Sequence, residues 1–139
     1  DCHPANHSSF VEFGGIWPPH CVEGTRGGAI HESFYTKVEN PANRPNPNRN
    51  IFRKGCKQDE EQYSGYEAVN SNGVALKDYA NKDVVVSGIA TEYCVYNTVN
   101  EFLKSGRNVE LLHDALGYVD YEGHKKTIKD LRKMVTVVE

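Results

Sequence analysis

An α/β fold built on a mostly parallel sheet is what the second half of this chain predicts, and three observations carry that prediction. Asp83-Val84-Val85-Val86 is a β-branched run of the kind found in buried parallel strands, broken at Gly88 where the chain must turn. Val95, Val99, Phe102 and Leu103 then recur at the i, i+4, i+7, i+8 spacing of a helix with one core-facing stripe, which Gly106 stops. Residues 108–114 read as the next strand, 121–133 as the next helix and 134–138 as a last strand. Strand and helix alternate at βαβ spacing, which implies three layers, helix-sheet-helix, with right-handed crossovers.

The elements before that alternation are shorter and more polar. Asp1-Cys2-His3-Pro4-Ala5-Asn6-His7 sets a carboxylate and an imidazole two residues apart, and in an extended segment residues i and i+2 point the same way. Asp1 and His3 are therefore placed to grip one metal ion, with Pro4 ending the segment. His20 follows in Trp17-Pro18-Pro19-His20-Cys21-Val22, a loop stiffened by two prolines. Two histidines and one carboxylate make an open metal site with positions left for water or substrate. His7 and Glu12 are candidates for an extra ligand. On spacing alone, surface-loop or helix-capping roles for these residues compete with the metal reading.

Gly24-Thr25-Arg26-Gly27-Gly28 lacks the phosphate-loop spacing and its terminal Gly-Lys-Ser/Thr, and reads as a tight connection. Residues 40–50 are loop by their proline and asparagine content. Ile51-Phe52-Arg53-Lys54-Gly55 is expected to be a short strand that leaves Lys54 at the carboxyl edge of a sheet, where ligands bind in open α/β folds. After an acidic loop at 58–62, Tyr63-Ser64-Gly65-Tyr66 is a turn with two aromatics, and residues 72–80 are expected to form a short amphipathic helix.

The stretch Ser87-Gly88-Ile89-Ala90-Thr91-Glu92-Tyr93-Cys94-Val95 reads as strand, tight turn and helix, with Cys94 in the first helical turn. There the positive end of the helix dipole and unpaired backbone N–H groups favour a thiolate. A buried structural cysteine is the competing reading.

The 139 residues suit one domain of ordinary globular composition. Sixteen Lys and Arg against nineteen Asp and Glu, for a net charge of -3, argue against nucleic acid or an anionic membrane as partner. No apolar run approaches membrane-spanning length. Cys2, Cys21, Cys56 and Cys94 are irregularly spaced with no CxxC pair, which argues against a disulfide or zinc-ribbon scaffold and for a reducing, cytoplasmic compartment. The chain starts directly on its densest polar motif, as an N-terminally incomplete domain would.

Five motifs in one order carry a family resemblance: D-x-H-P-x-N-H-x-S-F at 1–10, W-P-P-H-C-V-x-G-T at 17–25, K-G at 54–55, Y-S-G-Y at 63–66 and G-I-A-T-E-Y-C-V at 88–95. Together they resemble the cysteine hydrolases of the isochorismatase-like superfamily and, within it, the nicotinamidases (pyrazinamidases). The pairing of D-x-H with W-P-x-H-C points to the nicotinamidases, since isochorismatases lack it. The resemblance implies an isochorismatase-like fold, a divalent metal (Zn, Fe or Mn) and hydrolysis of nicotinamide to nicotinate and ammonia. It makes Cys94 the nucleophile and Lys54 its basic partner, with Asp1, His3 and His20 as metal ligands and Glu12 or His7 as a further one. It implies a cis peptide between Ile89 and Ala90, an oxyanion hole from the N–H groups of Ala90 and Cys94, and substrate contacts from Trp17, Tyr63, Ile89 and Tyr93. The implied partner is a small molecule, nicotinamide, and a homo-oligomer is compatible with the family.

The family's triad Asp has no counterpart among these residues, since Asp1 is required as a ligand. Two other readings are therefore weighed beside the first. One is a cysteine hydrolase of another small substrate, and the other is a metal-binding domain without catalysis.

Overall fold

Three parallel strands, β1 (Asp83–Gly88), β2 (Asn108–Leu116) and β3 (Thr136–Val138), lie side by side in the order β1-β2-β3 in the computed structural model, which describes residues 1–139. The register sets Val84 beside Val109, Val86 beside Leu111, and Leu111 beside Val137. These side chains share one face. The long helix α3 (Tyr96–Lys104) brings Val99 and Phe102 onto it, and α4 (Tyr121–Leu131) brings Ile128 and Leu131. Leu111, Val99 and Leu131 are fully buried there. The apolar stripe read from the sequence is thus the core stripe.

Both long helices pack in that one core. On the opposite face Val85 is 64% exposed, and β1 alternates exposed and half-buried residues instead of being buried on both sides. The alternation follows from the strand's period of two: Val84 and Val86 meet the helices and Val85 faces the other way.

The chain divides into two compact units: Asp1–Gln62 with Ala68–Ala75, and Tyr63–Glu67 with Leu76–Glu139. The sheet and both long helices belong to the second. The first is held by isolated bridges, short 3-10 turns and one helical turn, α1 (Ser33–Thr36), around the buried Phe10, His3 and His7. No helix is long and apolar enough to cross a membrane.

Two expected elements differ. The strand at residues 51–55 is a single antiparallel bridge, Arg53 with Val69, because Gly55 adopts φ +65° and turns the chain away at once. The helix expected over 72–80 shrinks to α2 (Leu76–Tyr79). Its first half is a turn, since the Asn70 side chain accepts from the N–H groups of Asn72 and Val74, and Gly73 adopts φ +76°.

Candidate active site

In the first unit the polar side chains of the two N-terminal motifs converge. His3 and Val22 form a parallel bridge in which the His3 N–H donates to Cys21 (3.0 Å) and the Glu23 N–H donates to His3 (2.8 Å). Cys21 makes the accompanying turn with φ +47°. The bridge draws the loop that carries His20 against the Asp-x-His segment, and one ligand atom each from Asp1, His3 and His20 falls within 4.8 Å of the others.

The histidine tautomers follow from their partners. His3 Nδ1–H donates to the Gly55 carbonyl at 2.7 Å, and His20 Nδ1–H donates to the Pro18 carbonyl at 2.8 Å. Both rings therefore offer Nε2 as a bare nitrogen, the arrangement in which outer partners orient metal ligands. Burial pushes the His3 imidazolium below its ordinary value, and the nearby His7 and His20 act the same way against the Gly55 hydrogen bond. A neutral imidazole is the form that binds a cation. The donor set and its tautomers fit a divalent ion.

The two further ligands considered from sequence do not join this group. His7 is fully buried, but its Nε2–H donates to the Glu60 carbonyl (3.1 Å) and its Nδ1 accepts from the hydroxyl and N–H of Ser9 (2.7 and 3.2 Å). Both ring nitrogens are in use. His7 instead packs its ring 4.3 Å from His3 and helps to hold it. Glu12 sits exposed on the 3-10 turn Val11–Phe13. Trp17 is half-buried, its ring centroid 6.3 Å from that of His20.

Lys54 lies in the same unit without the expected strand. Its carbonyl accepts from the Cys2 N–H (2.9 Å), and its ammonium donates to the Asp1 carboxylate and to the Gln62 carbonyl (2.9 Å). The Gln62 side chain also accepts from the Gly55 N–H (2.9 Å). Sequence reasoning read Gly55 only as the end of a strand and as part of the K-G motif, and did not single out Gln62. A Cβ on Gly55 would lie 2.4 Å from His3 Cε1, so this glycine lets a backbone carbonyl reach His3; the Lys-Gly step was its only local signal.

In the second unit the strand-turn-helix reading holds. The peptide between Ile89 and Ala90 is cis, and Thr91–Val95 forms a π turn, with the Val95 N–H donating to the Ala90 carbonyl (3.2 Å) before α3 begins. Cys94 sits half-buried inside that turn. Single π turns within helices are frequent at functional positions. The Cys94 carbonyl accepts from the Thr98 hydroxyl (2.7 Å), which in turn accepts from the Gly65 N–H (2.9 Å). Tyr63 and Tyr93 pack at 5.6 Å between ring centroids, and Ile89 is 76% exposed. No disulfide joins any of the four cysteines.

The turn is tied down by residues that sequence reasoning did not single out. The N–H and hydroxyl of the buried Thr91 both donate to the Gly117 carbonyl (2.9 and 2.8 Å), and the Gly117 N–H donates to Gly88 (3.0 Å). The Glu92 carboxylate accepts from the N–H groups of Val119 and Asp120 (2.8 and 2.7 Å). These partners lie more than 25 residues apart in sequence, where no local pattern signals them.

The chain is similar to known proteins in sequence and in fold. Residues 61–139 match the isochorismatase domain family. The chain is 30% identical over 134 residues to the nicotinamidase/pyrazinamidase of Mycobacterium tuberculosis, covering 93% of this chain and 66% of that protein. Two solved structures, each 34% identical with a TM-score of 0.79, cover all of this chain. One is an L. infantum protein in complex with nicotinate (68% of its length matched), and the other is a pyrazinamidase of Pyrococcus horikoshii in complex with zinc (72%). The chain spans about two thirds or less of its curated relatives, 59% in the case of the Escherichia coli nicotinamidase.

Proposed function

This chain belongs to the isochorismatase family, and on that premise we propose that residues 1–139 are part of a single catalytic domain that hydrolyses nicotinamide, and pyrazinamide with it, to the acid and ammonia. The observation that carries the choice of substrate is the convergence of Asp1, His3 and His20 with both Nε2 atoms bare, because the superfamily's isochorismatases lack that set. The zinc-bound pyrazinamidase relative and the nicotinate-bound relative support the same reading.

Asp1, His3 and His20 would hold the divalent ion, which when bound would supply an anchoring charge for the ring nitrogen of an azine. Trp17, Tyr63, Ile89 and Tyr93 contact the flat ring, for which stacking aromatics suit. Cys94 attacks the carboxamide carbon, and its sulfur forms a thioester as the C–N bond breaks and ammonia leaves with the thiol's proton. Water then adds to the thioester, the C–S bond breaks, and the acid departs with the thiol restored. Two moderate steps replace one hard one. Negative charge builds on the amide oxygen in both, and the backbone N–H groups of Ala90 and Cys94 stabilise it, at a few kcal/mol per donor in measured cases, so about a hundredfold to a thousandfold in rate for each. Lys54 is the basic partner.

The test is ammonia release from nicotinamide by the zinc-loaded chain. Activity that disappears in Cys94→Ala and on chelation supports the proposal, and activity that survives either change overturns it.

A further inference from the structure

The N-terminal turn of α4 meets the nucleophile turn at two adjacent residues. Asp120 caps α4, its carboxylate accepting from the Gly123 N–H (2.6 Å), while its own N–H and that of Val119 donate to Glu92. One turn into the helix, His124 Nδ1 lies 3.0 Å from the Thr91 hydroxyl. That hydroxyl already donates to the Gly117 carbonyl, so it can only accept from His124, and the proton is on Nδ1. The imidazole is held at that angle by the rings of Tyr118 (4.8 Å) and Tyr121 (6.5 Å, stacked). Thr91, buried completely, is the residue that follows the cis peptide and opens the π turn around Cys94.

We propose that the first turn of α4 braces the nucleophile turn, with His124 as a positioning residue whose Nδ1–H holds the Thr91 hydroxyl against the Gly117 carbonyl. The proposal deepens the hydrolase reading and rests on Cys94 being its nucleophile. The physical content is a relay of donors. Without the imidazole N–H, the hydroxyl keeps its acceptor but is released to rotate, and with it the backbone that aims Ala90 and Cys94. Catalytic groups misplaced by a fraction of an ångström lose rate without losing the bound substrate.

Three variants test it. His124→Leu removes the donor, Thr91→Val removes the hydroxyl, and His124→Asn returns an N–H near the position of Nδ1. The first two are expected to lower kcat for nicotinamide about tenfold, with KM changed by less than about twofold, which is the scale of one lost buried hydrogen bond. His124→Asn is expected to stay within about threefold of the unaltered chain, and the Leu and Val changes together to cost no more than either alone, since they break one relay. A raised KM with kcat unchanged, Asn as damaging as Leu, or additive losses would overturn the brace. If a variant does not fold, the histidine 15N–1H correlation spectrum of the unaltered chain decides. A His124 proton on Nδ1 supports the brace, and one on Nε2 overturns it. That signal needs no turnover, so a chain with Nδ1–H that releases no ammonia leaves the brace standing while the nicotinamide reading fails.

Discussion

Replacing Gly55 by alanine probes how the first unit holds the residues proposed to bind the metal. The residue has φ +65°, a region that costs a residue with a Cβ about 1 to 2 kcal/mol. The added methyl would also lie 2.4 Å from Cε1 and 2.7 Å from Nδ1 of His3. His3 has nowhere to retreat: it is 2% exposed, with the His7, Phe10 and His20 rings at 4.3, 5.7 and 4.9 Å. Overpacking of that kind costs about 1 to 3 kcal/mol. The sum, about 3 kcal/mol, corresponds to a fall of about 10 °C in Tm for a chain of this size. Displacing the carbonyl that orients His3 should also weaken zinc binding about 10- to 100-fold, the usual effect of losing a ligand's outer partner. Gly14→Ala is the control, because Gly14 has φ +92° but a Cβ there meets nothing within 4 Å. It should cost only the backbone term, about 1 kcal/mol. Thermal unfolding and zinc calorimetry read both variants. A Gly55→Ala protein that melts with Gly14→Ala and binds zinc as the unaltered chain does would refute the close approach of Gly55 to His3.

Gly117→Ala should damage the nucleophile turn in a comparable way, since its Cβ would lie 2.3 Å from Ile89 Cγ2; a loss of about tenfold or more in kcat is expected, and an unchanged rate would contradict it. Phe102→Ala removes a side chain 3% exposed in the sheet-helix core and should cost about 3 to 5 kcal/mol by denaturant titration. The pH dependence follows from His3, whose folded value is lowered by burial, so that the folded chain binds fewer protons than the unfolded one. Its contribution to stability is complete above about pH 6.5 and declines as pH falls below that toward the folded value. Protons compete with zinc for the folded ring only as pH falls toward that lowered value, so calorimetry should show affinity steady near neutral pH and falling at acid pH, and affinity that never falls on acidification would contradict the His3 assignment.

The chemistry-bearing stretches were legible where their signal is local. Gly88, the β-branched run before it and the helical stripe after it sit within twenty residues, and the strand, turn and helix follow from them. Asp1, His3 and His20 were legible as residue types, yet what unites them is a backbone bridge at Val22 that no periodicity announces. His7 shows the converse. Its place in a histidine-rich motif suggested a ligand, while its ring nitrogens are taken by Ser9 and by the Glu60 carbonyl, 53 residues away. The expected strand at Lys54 failed because one glycine with positive φ outweighs the strand-favouring Ile51 and Phe52. Thr91 and Glu92 were legible only as members of the turn motif, and His124 not at all, because their roles exist through contacts 26 to 33 residues apart.

The central claim is that Cys94 carries the acyl group of a pyridine carboxamide. Intact-protein mass spectrometry of the zinc-loaded chain, acid-quenched during turnover of nicotinamide, tests it most directly. The account predicts a species heavier by one nicotinoyl group, mapped to the Cys94 peptide and missing in Cys94→Ala. Ammonia release with that adduct on another residue, or undiminished in Cys94→Ala, would contradict it.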